Sequence, residues 1–176
     1  MRKALLTLLS ILLATRVLPA QIFEAETATL SGVNVFTGRN ASSNQYADFQ
    51  NPSGDFIEWE LPVNQGGPYR LTFIYQLGKP NRPLQLDING TLTLASLDFP
   101  STGNWVEWDS ISAEVTLVSG LNTIRLTAIG NSGANFDFLR VSSEGCEGLT
   151  FSDVISYAGA QDKGSFSVLD QQKTLL

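Results

Sequence analysis

The chain has 176 residues, 43% hydrophobic and 16% charged, the balance of a folded globular protein and not of a disordered one. With 11 basic and 17 acidic residues its net charge is −6, which argues against nucleic acid or anionic lipid as partners, since both need clustered Lys and Arg. There is no histidine and a single cysteine, Cys146, which removes Ser-His-Asp and Cys-His catalysis, His-ligated zinc and any intramolecular disulfide.

In chain order, MRKALLTLLSILLATRVLPAQ places Arg2 and Lys3 before an apolar run over 4–14 and then reaches Leu18-Pro19-Ala20. This predicts a secretory signal peptide over residues 1–20 and a secreted product, extracellular or periplasmic, with no membrane attachment after cleavage. The apolar run is too short for a span, and Arg16 interrupts it. Cleavage takes Arg2, Lys3 and Arg16, leaving 8 basic against 17 acidic residues and a net charge of −9. Neutral ligands or cations suit such a surface.

The stretch IFEAETATLSG follows. If residues 22–27 are extended, Glu24 and Glu26 lie side by side on one face, with Phe23, Ala25 and Thr27 on the other. Two like charges that close call for water, a base or a bound cation.

Strand patterns then follow one another: FIEWEL (56–61), PYRLTFIYQL (68–77), PLQLDI (83–88), TLTLASL (91–97), AEVTLV (113–118), LNTIRLTAI (121–129) and NFDFLRV (135–141). Turn residues separate them, and Asn89-Gly90 is the best hairpin turn because both positions tolerate positive φ. Many short strands without helices predict an all-β sandwich or barrel. The module is expected over residues 21–142 and an acidic linker over 143–150. Residues 151–176 read as the truncated start of a further module, too short to bury a core.

Alternation sorts the aromatic residues. Trp59 shares parity with Ile57 and Leu61, and Trp108 with Val106, so both are expected in the core; Trp105 shares parity with Glu107 and Asp109 and is expected exposed at a loop mouth. Tyr46 pairs with Asp48 on one face of QYADF. A tyrosine and a tryptophan on loops can wall a slot for a sugar ring, or simply pack over a strand edge and a sandwich end. Asp137 stands among Phe136, Phe138 and Leu139, where a free carboxylate is costly. Glu24, Glu26 and Asp137 are hard oxygen donors on the first and last strands. With backbone carbonyls they could form a calcium site of about six to eight oxygens, the alternative being a salt bridge to Arg39 or Arg140.

IFEAETATLSG, QYADFQNPSGDFIEWELP, YRLTFIY with RPLQLDING, LDFPSTGNWVEWDSISAEVTLVSGLNTIRLTA and NFDFLRV together resemble the carbohydrate-binding modules of families 6 and 35, over roughly residues 22–141. The resemblance implies a jelly-roll β-sandwich of two antiparallel sheets, containing calcium, that attaches an exported enzyme to polysaccharide without catalysis of its own. It implies Glu24, Glu26 and Asp137 as ligands of a structural calcium, with carbonyls from the loop near 40–46. It further implies Trp105 and Tyr46 as aromatic walls and Asn135 as the hydrogen-bonding amide of a loop-end sugar site. Some members use the concave sheet face instead, where Tyr75, Gln85 and Arg70 could contribute. The expected protein is a monomer holding a polysaccharide or oligosaccharide, joined to a catalytic domain. Two other functions stay open. One is a glycoside hydrolase or lyase using Asp55 with Glu58 or Glu107 with Asp109, which would need carboxyl groups about 5–9.5 Å apart across a glycosidic bond; the other is a spacer domain with no sugar site.

Overall fold

A computed structural model describes residues 20–38 and 40–143. The expected leader up to residue 19, the linker from residue 144 and the segment 151–176 lie outside the described residues, as does Arg39, while Ser143, expected in the linker, ends the last strand. Among the described residues no helix is long and apolar enough to cross a membrane.

The described chain folds as eleven strands: β1 (Gln21–Glu24), β2 (Thr29–Ser31), β3 (Val33–Thr37), β4 (Gln45–Phe49), β5 (Ser53–Val63), β6 (Gly67–Gln76), β7 (Leu84–Ile88), β8 (Thr91–Leu97), β9 (Asp109–Leu117), β10 (Gly120–Ile129) and β11 (Asn135–Ser143). One sheet runs β3-β4-β11-β6-β9, with β1 also paired to β11; the other runs β2-β5-β10-β7-β8. All pairings are antiparallel. The fold is the expected β-sandwich.

Alternation of side chains drives the closure of the two sheets. Ile57, Trp59 and Leu61 on β5, Ile124 and Leu126 on β10, and Leu84 and Leu86 on β7 face Leu71, Phe73 and Tyr75 on β6 and Phe136 and Leu139 on β11, all buried. Each such side chain withdrawn from water stabilises the fold by about 1.5–3 kcal/mol before chain entropy is charged against it. Phe99, fully buried, plugs one end of the core edge-on against Tyr75 and Phe136, with ring centroids 5.2 and 5.1 Å away. Asn89-Gly90 makes the β7–β8 hairpin with φ of 52° and 72°, the pair of positive values a two-residue turn requires.

Several expectations are corrected. The strand entering at Gln21 stops at Glu24, and Glu26 lies in the turn that follows, so the two glutamates are not neighbours along an extended segment. Tyr75 is 1% exposed and belongs to the core, hence it cannot serve a surface site. Gln85 is on β7 and Arg70 on β6, in different sheets, so they do not share a face. Trp108 is half-buried and precedes β9, where strand parity has no meaning.

Candidate functional site

The site forms where β11 changes partners. Along one edge β11 pairs with β4 through Asn135 and Phe136, and then with β1 from Phe138 to Val141. Asp137 sits at the seam, and its carbonyl accepts the Ala25 N–H at 2.8 Å. On the other edge two β11 residues, Asp137 and Phe138, oppose one residue of β6, a bulge that redirects the Asp137 side chain. This brings the end of β1, the loop before β4 and the start of β11 together.

Three carboxylates gather there around two serines. Both Asp137 carboxylate oxygens accept the Ser42 N–H, at 2.9 and 3.1 Å. The Ser42 hydroxyl oxygen stands 2.6 Å from Glu24 Oε2 and 2.9 Å from Asp137 Oδ1, so one proton serves two carboxylates. Ser43 Oγ donates to Glu26 Oε1, while Glu26 Oε2 is buried with no hydrogen-bond partner. Burial pushes the Glu24 carboxyl above its usual range, opposed by the Ser42 hydrogen bond and reinforced by the charges of Glu26 and Asp137. Burial likewise raises Asp137, against the Ser42 backbone and side-chain bonds and with the Glu26 charge adding to the rise. Among the described residues no three acidic, histidine or cysteine side chains already converge as a metal-holding group, because serine hydroxyls stand between these carboxylates. The donor set is nonetheless all hard oxygen, short of protons and holding one orphaned buried acceptor, which is the chemistry that suits a hard divalent cation.

The second group lies on the outer surface of the same sheet. Ala47, Phe136 and Tyr75 are register neighbours facing the core, so the next row, Asp48, Asn135 and Gln76, faces outward across β4, β11 and β6. Asn135 is only 5% exposed, and its Oδ1 has no partner. Tyr46, two residues before Asp48, stacks with Phe36 (centroids 6.0 Å, planes 29° apart) and meets Trp108 edge-on at 6.1 Å. Burial first, and then the Asp48 charge, raise the Tyr46 hydroxyl. The expected core residue Trp108 is instead part of this half-exposed aromatic row.

Trp105 is 39% exposed, as expected, in the loop between β8 and β9. That loop is riveted to the one following β6. Leu77 N–H donates to Thr102 Oγ1 at 3.0 Å, Thr102 N–H returns to the Leu77 carbonyl at 2.9 Å, and Asn81 bonds both Asp98 and the Phe99 N–H. The indole rests directly on Gly78: a Cβ there would stand 2.6 Å from Cδ1 and Nε1. The Arg82 guanidinium lies 5.7 Å from the ring centroid, and its Nη1 donates to Ser132 Oγ at 2.9 Å and to the Gly133 carbonyl at 3.2 Å. Arg82 also acts on the Asp48 carboxyl, which burial raises and a Gln50 hydrogen bond and this positive charge lower. A chain of proximity therefore runs from Tyr46 to Asp48 to Arg82 to Trp105, with Asn135 beside Asp48.

Residue-type reasoning missed Gly78, Arg82, Asp48 and the two serines. Their part comes from loop packing and cross-strand register, which no spacing along the chain encodes.

Of the carboxylate pairs considered for catalysis, Asp55 and Glu58 point to opposite faces of β5, and Glu107, just before β9, and Asp109, at its start, are both exposed. Asp55 is buried and takes the N–H groups of Gln50 and Asn51, at 3.0 and 2.6 Å, and the Asn51 amide. Glu58, on the opposite face of β5, is 2.9 Å from Arg125 Nε. Asp109 Oδ1 accepts the Ser110 N–H, and Glu107 is exposed in the preceding loop.

Comparison with known proteins identifies the family. The profile of carbohydrate binding module family 6 matches residues 24–143. The chain belongs to this family of carbohydrate-binding modules. A family 35 carbohydrate binding module from Clostridium thermocellum superposes with a TM-score of 0.69 at 34% identity, covering 72% of this chain and 99% of that one. The family 35 module from Paenibacillus barcinonensis gives 0.68 at 31% identity, covering 70% and 99%. Among curated proteins, the exo-beta-D-glucosaminidase of Amycolatopsis orientalis is 30% identical over 65% of this chain but 11% of its own length. Endo-1,4-beta-xylanase B of Cellvibrio japonicus is 32% identical over 61% of this chain and 18% of its own length. In those two relatives, both named as enzymes, the matched region is a small part, so this chain spans only a small part of their length.

Proposed function

We propose that the module grips a polysaccharide without reacting with it, a sugar ring lying against the Trp105 indole while Asn135 hydrogen-bonds its hydroxyls and Tyr46 closes the opposite side. The supporting observation is the way Trp105 is held: a large exposed indole fixed on Gly78 and flanked by Arg82, in a loop tied down by paired hydrogen bonds. A rigid apolar plate costs little ordering entropy when a sugar stacks on it, and neighbouring polar groups set the orientation.

In this reading calcium is the structural ion of the domain. Glu24, Glu26 and Asp137 would hold it with carbonyls of the 40–46 loop, neutralising carboxylates that otherwise repel one another. The cation would supply no chemistry to the sugar; it would hold the ends of β1 and β11 to the loop leading into Tyr46. The protein would be exported, the leader being cleaved, and would act as a monomer that keeps a catalytic domain near its polysaccharide. The exo-beta-D-glucosaminidase and xylanase relatives make an enzyme-linked role the natural one.

The test is affinity electrophoresis in gels containing xylan, agar, cellulose derivative or polyuronate, with the wild type and Trp105→Ala side by side. Retardation by at least one polymer that is lost on substitution is expected. Retardation unaffected by the substitution would place the sugar elsewhere, and none on any gel would leave a spacer domain.

A further inference from the structure

The outward row Asp48–Asn135–Gln76 is unusual for the surface of a sheet, because Asn135 and Gln76 are 5% and 4% exposed although no second sheet among the described residues covers that face. Asn135 Oδ1 is left there without a donor, a condition that costs about 1–3 kcal/mol unless a partner enters. Asp48 lies directly opposite Asn135 in register, which puts their Cβ atoms about 4.5–5.5 Å apart on one face. The Asp48 side chain is half-buried, close to Tyr46 on one side and to Arg82 on the other.

Three carboxylates elsewhere on the sheet faces are already engaged. Glu58 is held by Arg125, Glu114 by Arg70, and Asp87 by the Gln85 amide. At Asp48 the Gln50 amide donates to the backbone carbonyl at 2.9 Å and approaches the carboxyl, but a carboxylate accepts about four hydrogen bonds and most of that capacity remains. Two acceptors side by side, one of them orphaned, demand donors from whatever lies against the neighbouring indole. A saccharide supplies them as adjacent hydroxyls.

We propose that Asp48 is a ligand-contacting residue of this site, its carboxylate accepting from one hydroxyl of the stacked ring beside the hydroxyl that meets Asn135. The site therefore selects a sugar whose two neighbouring hydroxyls are free, and it rejects rings esterified or etherified there. A site built to receive donors discriminates strongly against ligands that lack them, since its own buried acceptors are then stranded. The Arg82 charge opposes, without cancelling, the rise that burial imposes on the Asp48 carboxyl. The inference rests on the stacking reading above.

The experiment compares the wild type, Asp48→Ala, Asp48→Asn and Trp105→Ala for binding to xylan, β-1,3-galactan and polygalacturonate, and to partly O-methylated xylan and galactan, with melting curves run in parallel. Asp48→Ala is expected to bind at least tenfold more weakly. Asp48→Asn, which keeps one acceptor oxygen, should lose less, and both should melt no lower than the wild type. Methylation should weaken wild-type binding more than binding by Asp48→Ala, which keeps only the Asn135 contact. If both Asp48 variants bind within twofold of the wild type, or discriminate against methylation as it does, while Trp105→Ala is lost, Asp48 does not touch the sugar and the stacking reading survives. If Trp105→Ala also binds normally, or the wild type binds none of the polymers, both fail together.

Discussion

The N–H of Ala25 donates to the carbonyl of Asp137 at 2.8 Å, joining the end of the first strand to the seam of the last. Around that single backbone bond Glu24, Glu26 and Asp137 share two serine hydroxyls. Three carboxylates with so few protons repel one another, and on the calcium reading proposed above a bound cation would relieve that repulsion. Calcium at a hundred times its Kd would add about 2.7 kcal/mol to the native state, roughly 10 °C in melting temperature for a domain of this size. Chelation should therefore lower the melting temperature of the wild type by that order and leave Asp137→Asn almost unmoved. Identical wild-type curves with and without chelator would dispose of the calcium assignment.

Gly78 tests the platform without touching it. Its φ is not in the left-handed region, so alanine is tolerated by the backbone, but the new methyl would stand 2.6 Å from two indole atoms. Trp105 must move. Gly78→Ala should cost about 1–3 kcal/mol of stability through overpacking and weaken polysaccharide binding about as much as Trp105→Ala does, with a red shift of tryptophan emission. Full affinity retained in Gly78→Ala would mean that the indole position does not matter.

How much of this was legible beforehand depends on which physical signal was available. Long strands such as β5 and β10 alternate cleanly because one face is buried, and Trp59 fell into the core as parity demands. The short strands β2 and β3 bury almost nothing, so they carry no alternation to detect. Parity misplaced Trp108 because the residue precedes β9, and it misread Glu24 and Glu26 because β1 ends between them. The acidic residues and Trp105 could be singled out by type, whereas Gly78, Arg82 and Asp48 gain their roles only from contacts between loops and from register across strands.

Asp55 separates a binding module from a hydrolase. Its carboxylate is occupied by the Gln50 and Asn51 N–H groups, and Gly32 fits against it so closely that a Cβ would fall 1.8 Å from Oδ1. Asp55→Ala strands those buried donors and should cost at least about 1–3 kcal/mol in urea denaturation. Neither wild type nor variant should release new reducing ends from polysaccharide. Steady release by the wild type that disappears in a still-folded Asp55→Ala would reverse the reading.

Asp48 gives the pH dependence a sign. Burial holds its carboxyl above the ordinary value of 3.8, with Gln50 and Arg82 opposing the shift less strongly. Between the ordinary value and the raised one the native state binds more protons than the unfolded chain, so this group's contribution to stability falls as pH rises through that window. Asparagine is neutral throughout and pays no such cost. The melting temperature of Asp48→Asn minus that of the wild type, measured at fixed calcium, should therefore grow as pH rises from the ordinary value of 3.8 through the raised one and then level off. A difference that shrinks over that range would show the carboxylate stabilised by Arg82 more than it is penalised by burial. In that case ionised Asp48 would be a structural partner of the guanidinium, its oxygens unavailable to a sugar.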